Sequence, residues 1–331
     1  MLPFQWLTYN ETMLRAHNLG SGLLGLGLSP GNNTRVGIMA KNCPEWLITE
    51  LGLFHYSLVS VPLYRKLEAT TISHIIMECE LSIILAQDED TARFILDSLS
   101  NSNILRHIVT IQNVRRVEVN EIAAGLGVKI VRFSDLEKWG AGHKIEVRPP
   151  TPESLAAICY SPMMTSDLRP KGVMLTHQNI ISVASACLLQ LGGNISKQCQ
   201  ILYPQIKLLD SAPTSSDLMI SYLPMCYTLE RCCQISLILA GGRIGFFCGK
   251  MQGLASDLRD LRPTVVPTVP SVLNRIYDQF TGIARNHFLS RWIINKCLDK
   301  MMKREFAMVK SKSVWSLVFR RLRVHFGERC S

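Results

Sequence analysis

Apolar positions along this chain follow two rhythms. Short apolar runs at 35–40, 59–64, 81–86 and 107–111 alternate with stretches at 44–56, 69–79 and 92–99 in which apolar residues recur three and four positions apart. Runs of the first kind, bounded by turn residues, suit buried strands, and the second spacing gives one apolar helix face. Pro44 stands in the first turn of the 44–56 pattern, where the missing N–H has no helical partner to lose. Residues 1–28 predict a further helix, with Asn10 as its cap before Met13, Ala16 and Leu19. Regular alternation of strand and helix predicts a largely parallel sheet covered by helices.

The second half reads differently. VRPPTPE at 147–153 is proline-rich and starts no clear element, which makes it the best internal boundary. A first lobe at 1–148 and a second at 149–331 follow from it. Directly after the boundary, 155–160 is a short apolar run, 160–179 is mostly polar, and Ile180, Val183, Ala184, Cys187, Leu188 and Leu191 share one helical face. The expected order is strand, loop, helix. Such a loop aims backbone N–H groups and the positive helix end at an anion, a phosphate site in outline. Residues 196–217 form an irregular polar stretch longer than a usual connection. Ser271 caps a face made of Val272, Leu273, Ile276, Tyr277 and Phe280. Trp315, Val318, Phe319, Leu322 and Phe326 form another, with Arg320, Arg321 and Arg323 off it.

Composition narrows the function classes. A chain of 331 residues, 47% apolar, is long enough for two lobes with a large core. Its eleven cysteines are scattered and form no C-x-x-C pair, which argues for reduced thiols and against a zinc site or a secreted disulfide framework. The best candidate for a membrane span, 46–64, contains Glu50 and His55 and reads as helix then strand, so no transmembrane segment is expected. The amino terminus lacks a signal-peptide pattern. All of the net charge of +10 falls after residue 261, where fourteen Lys and Arg face four Asp and Glu. A basic tail suits an anionic partner such as a membrane surface or a polyphosphate; without a recognition motif, specific nucleic-acid binding ranks last.

The segment YSPMMTSDLRPKGVMLTHQN resembles the phosphate loop of the adenylate-forming (AMP-binding) superfamily, Y-T-S-G-T-T-G-x-P-K-G, and the M-L-T-H run that follows it in long-chain acyl-CoA synthetases. Tyr160, Pro170, Lys171, Gly172 and 173–177 match. NCPEW (42–46), SVPLY (60–64), SYLPMCYTLER (221–231), GGRIGFFCGK (241–250) and LRPTVVPTVPSVLNRIYD (261–278) are similar to further segments of the same family. The resemblance covers nearly the whole chain. It implies a two-lobed α/β fold with largely parallel sheets and flanking helices, a partial adenylate-forming domain without the carboxy-terminal domain.

By resemblance, the activity is that of a long-chain fatty acid CoA ligase, which joins fatty acid to ATP as acyl-AMP and passes the acyl group to CoA. ATP and magnesium would serve the first step, with CoA as co-substrate. Nucleotide binding is implied at Tyr160, Ser161, Thr165, Ser166, Lys171 and Gly172, and substrate binding at Tyr227, Glu230, Gly241 and Gly242; no catalytic residue or metal ligand is assigned. The family also implies a place on the cytoplasmic side of the endoplasmic reticulum or mitochondrial outer membrane.

The sequence departs from the pattern in the loop itself, where 161–169 is two residues longer and has lost both glycines. Without glycine the backbone cannot approach a phosphate closely, Pro162 removes a donor, and Asp167 adds a negative charge. Tyr227 replaces the family's histidine, and Lys250 replaces an acid. The family's downstream Y-G-x-T-E and T-G-D segments do not occur. A weak or inactive ligase is expected. Two alternatives stay open, a non-catalytic relative that binds acyl chains or a partner, and a basic adaptor on an anionic membrane surface.

Overall fold

The computed structural model describes residues 4–99, 103–160, 170–192 and 213–275. Helix α1 (Tyr9–Gly25) is capped by Thr8 rather than Asn10. The Thr8 hydroxyl accepts the Glu11 N–H at 3.1 Å and the Glu11 carboxylate accepts the Thr8 N–H at 2.7 Å. Three residues after Asn10 stands Met13, which cannot return the second bond.

Alternating elements follow as expected through β1 (Arg35–Met39), α2 (Pro44–Phe54), β2 (Val59–Pro62), α3 (Ala69–Glu78), β3 (Ile83–Ala86), α4 (Glu89–Asp97) and β4 (His107–Thr110), and the alternation continues past the expected elements with α5 (Val117–Gly125), β5 (Lys129–Arg132) and α6 (Phe133–Gly142). Helix α4 starts before the expected 92 because the Asp88 side chain accepts the Thr91 N–H. Next come β6 (Leu155–Tyr160), β7 (Gly172–Thr176), α7 (His177–Gly192), β8 (Leu218–Ser221), α8 (Thr228–Leu239), β9 (Arg243–Phe246) and, after a short 3₁₀ turn, α9 (Leu254–Leu261).

Seven strands form one sheet in the order β5-β4-β3-β1-β2-β6-β7, parallel except for β7, which runs antiparallel to β6. Both faces of β1 to β4 and β6 are covered, so these strands are apolar at nearly every position, while the edge strands β5 and β7 are largely exposed. On one face Ile84 and Ile108 pack with Ile72, Ile76, Ile95 and Val119 of α3, α4 and α5. On the other, Val36, Ile38, Leu85 and Val109 pack with Leu19, Trp46, Leu53 and Leu136 of α1, α2 and α6. The proline-rich stretch at 147–153 is a connection into this same sheet, because β6 pairs with β2 at Ser60 and Ala157.

Strands β8 and β9 make a second, parallel pair, with Val265 bridged to Met219. Leu218, Ile220, Tyr222, Leu254, Leu258 and Leu261 form its core. Of the expectations above, Ser161, Thr165, Ser166, most of the 196–217 stretch, the face positions Ile276, Tyr277 and Phe280, and the basic tail lie outside the described residues.

Candidate functional site

Strands of an open α/β sheet present their ligand-binding loops at their carboxyl ends. Here the carboxyl ends of β1, β2, β6, β8 and β9 lead into Lys41–Asn42, Tyr64–Lys66, the 161–169 loop, 222–227 and Cys248–Lys250.

The frame of the loop is well built. Tyr160 and Gly172 face each other across the β6–β7 ladder. The Tyr160 hydroxyl donates to Glu78 Oε2 at 2.6 Å and lies 3.2 Å from Cys79 Sγ. Burial first, then the contacts with Cys79 and Glu78, hold this phenol above its ordinary range. A Cβ on Gly172 would stand 2.9 Å from Ile158 Cγ2 and 3.1 Å from Tyr160 Cζ, so glycine is demanded by packing against β6. Lys171, between this glycine and the loop, is exposed.

The expected order strand, loop, helix needs a correction. Residues 172–176 are a strand, so α7 begins at the opposite edge of the sheet from the loop. The His177 and Gln178 N–H groups donate to the carbonyls of Ser154 and Pro152, ahead of β6. Thr176 and Asn179 cap the helix reciprocally, at 3.0 and 3.1 Å. A five-residue strand at about 3.4 Å per residue separates the two ends by roughly 15 Å. The positive end of α7 therefore does not face the loop, and Lys171 stands nearest to it.

Beside the hairpin, Asn42 crosses from the end of β1 to the end of β8. Its Nδ2 donates to Ser221 Oγ at 2.8 Å and to the Leu223 carbonyl at 2.7 Å. Gln234 Nε2 donates to the same Ser221 oxygen at 2.9 Å and to Glu230 Oε1 at 3.1 Å. Glu230 is wholly buried, and its Oε2 has no partner. Burial pushes its carboxyl up to about 7, against the bonds from Ser221, Gln234 and the Leu223 N–H. Arg231 pairs with Glu50 of α2, reaches Cys159 Sγ at 3.2 Å and lies over the Trp46 ring at 5.9 Å. These contacts fix the 222–227 turn onto the larger sheet.

At the rim, the rings of Tyr227 and Tyr64 are 5.8 Å apart and Lys66 Nζ sits 6.0 Å above Tyr64. Lys41 lies along Gly249, where a Cβ would be 3.4 Å from its Cδ and the backbone has φ +83. Tyr227 thus shares the carboxyl edge with the loop frame. Gly241 and Gly242 do not: they turn the chain from α8 into β9, about 18 Å of helix away from Tyr227. Gly241 has φ +75, and a Cβ on Gly242 would meet Leu237 at 2.6 Å. Asn42, Glu50, Tyr64 and Lys66 are additions to the expected set. Asn42 and Tyr64 stood in NCPEW and SVPLY, and a polar or aromatic residue just past an apolar strand was the available signal.

The sequence profile of AMP-binding enzymes matches residues 2–320. The chain belongs to the AMP-binding enzyme family. Relatives in that family include long-chain-fatty-acid–CoA ligase 1 of Homo sapiens, 32% identical over 99% of this chain, and long-chain-fatty-acid–CoA ligase 5 of Rattus norvegicus, 33% identical over 98%. The chain spans 45% of the length of each of these two. In fold, this AMP-binding chain is similar to the adenylation domain of a carboxylate reductase from Mycobacterium chelonae (TM-score 0.71, 15% identity, 98% of this chain and 46% of that one). It is also similar to the A domain of the carboxylic acid reductase from Segniliparus rugosus solved with AMP and a co-purified carboxylic acid (TM-score 0.67, 18% identity, 86% and 44%). Among the described residues of this AMP-binding chain, no three His, Cys, Asp or Glu side chains are grouped to hold a metal ion. No helix among them is long and apolar enough to cross a membrane.

Proposed function

We propose that this chain is the amino-terminal, acid- and nucleotide-handling part of a long-chain fatty acid CoA ligase, and that alone it forms acyl-AMP weakly or not at all. The observation that carries the reading is the β6–β7 hairpin. Its legs keep the family's Tyr160, Lys171 and Gly172 in a tight frame at the carboxyl edge, while the loop between them, SPMMTSDLR, has no glycine.

Adenylation attacks the α-phosphate of ATP with a carboxylate and expels pyrophosphate, so its catalysis consists mainly of positioning and of neutralising phosphate charge. Lys171 supplies one mobile positive charge. The backbone donors that glycine would bring close are hindered by Cβ atoms, and Asp167 opposes the phosphates. Tyr227, its ring tilted against that of Tyr64, replaces an imidazole by a phenol, which keeps an aromatic wall and gives up a cation near neutral pH. Magnesium enters this reading only with the phosphates of ATP, since no three metal-ligating side chains are grouped among the described residues, and no step is assigned to it. Fatty acid, ATP and CoA are the substrates of this reading, and the basic tail supports contact with the anionic cytoplasmic face of a membrane.

The test is fatty-acid-dependent pyrophosphate release by the purified chain. No release above background is expected with ATP and palmitate. Release that Lys171→Ala abolishes would overturn the inactivity. Binding of a fluorescent fatty acid without any release would favour the non-catalytic acyl-binding alternative, for which the glycine-free loop is the supporting observation.

A further inference from the structure

The amino-terminal edge of the seven-stranded sheet, opposite the loop ends described above, holds a surface cavity of about 700 Å³ that is open to solvent. It lies where β4 and β5 begin and where the chain turns after α5. Small-ligand sites commonly have volumes of about 300–1,000 Å³. The charged side chains that line it are Arg106, His107 and Lys129, and no Asp or Glu is among the lining residues.

The three are held together by the sheet. His107 and Lys129 are register partners on neighbouring parallel strands, and the Lys129 N–H donates to the Arg106 carbonyl at 2.8 Å. Burial, then Lys129 and then Arg106, lower the pKa of the His107 imidazole, and no acidic group opposes them. Arg15, Arg35, Arg93 and Arg116 each have a carboxylate partner; among the described residues Arg106 and Lys129 have none. The last carbonyls of α5 do not serve them either, since Ile122, Ala123 and Ala124 accept the N–H groups of Leu126, Val128 and Gly127. Gly127, at φ +70, has no atom within 4 Å of where a Cβ would stand, so its side of the lining is open. Leu126 adds an apolar side to the opening.

We propose that this cavity is a binding site for a small oxyanion, a phosphate or carboxylate group with a short apolar body, held by Arg106, Lys129 and protonated His107. An oxyanion relieves the repulsion among the three cations and favours the charged imidazole. Because the site lies on the far edge of the sheet, its occupant does not compete for the carboxyl-edge loops.

The experiment is a histidine-resolved NMR titration of the whole chain, with His107→Gln assigning one of the eight histidines. The pH series is repeated in millimolar phosphate, butyrate and chloride at matched ionic strength. The His107 midpoint should rise by at least about half a pH unit in phosphate or butyrate relative to chloride. A rise with phosphate alone identifies a phosphate head, and one with butyrate alone a carboxylate. Arg106→Gln with Lys129→Gln should remove the rise, and Lys129→Gln alone should roughly halve it; these exposed side chains leave the core intact. Equal midpoints in all three salts, or a rise that survives the double substitution, would sink the proposal.

Discussion

The interior of the seven-stranded sheet and the seam that joins it to β8 and β9 are both buried, yet they are built from different chemistry. In the first, Ile72, Ile76, Ile84, Ile95 and Ile108 belong to one cluster of buried apolar side chains. In the second, Asn42, Glu50, Ser60, Ser221, Glu230, Arg231 and Gln234 are all buried together. Apolar contact is non-directional and sets how tightly layers pack. Buried hydrogen bonds and ion pairs are directional and punish displacement. The contrast teaches where position matters most, at the carboxyl edge between the two sheets, beside the frame of the phosphate-type loop.

The largest expected effect that tests this contrast is at Arg231. Arg231→Met strands the Glu50 carboxylate without its partner and should lower unfolding free energy by about 3–5 kcal/mol. In the dry interior, Ile76→Val should lower it by only about 1 kcal/mol. Urea denaturation of both variants measures the gap, and Arg231→Met combined with Glu50→Leu should recover much of the loss. Similar losses for Arg231→Met and Ile76→Val would erase the distinction.

Glu230 gives the next effect. Its carboxyl sits at about 7 in the fold against an ordinary 4.5. Between those values the unfolded chain releases the proton and the folded chain keeps it, so stability falls as pH rises from about 4.5 to about 7 and is level above. The fall is on the order of 3 kcal/mol. Glu230→Gln should remove that slope from a series of denaturation curves, and a wild-type slope of opposite sign would show the carboxyl to be stabilised as the anion. The smallest effect is at the exposed start of α1 and calibrates the others. Thr8→Ala should cost about 1 kcal/mol through loss of an exposed helix cap, and Asn10→Ala close to nothing. Equal thermal shifts for the two would restore Asn10 as the cap.

The strands β1 to β4 were legible because they are apolar on both faces and their helices keep one apolar stripe; β5, with exposed Lys129 and Arg132 at its ends, offers no such run and was not expected. The hairpin was not. Residues 172–176 carry Val173, Met174 and Leu175 directly before a helical pattern, and an edge strand with exposed apolar positions has no period of its own to separate it from a helix start. Glu50 was legible only as a polar residue that spoils a membrane span; its partner Arg231 follows 181 positions later, beyond any local spacing rule. The absence of glycine from 161–169 is a property of the sequence alone and needs no spacing rule to be read.

The junction of β2 with β6 also governs the order in which the molecule can assemble. Its register, Ser60 with Ala157, joins positions about a hundred residues apart, so the loop that must close is long and the contact is slow to form. As the chain leaves the ribosome, β1 to β5 can already pair while the outer side of β2 is still a bare row of backbone donors and acceptors. Until β6 arrives, that edge is open to strands from other chains, and a chaperone that shields it would act at this stage of synthesis.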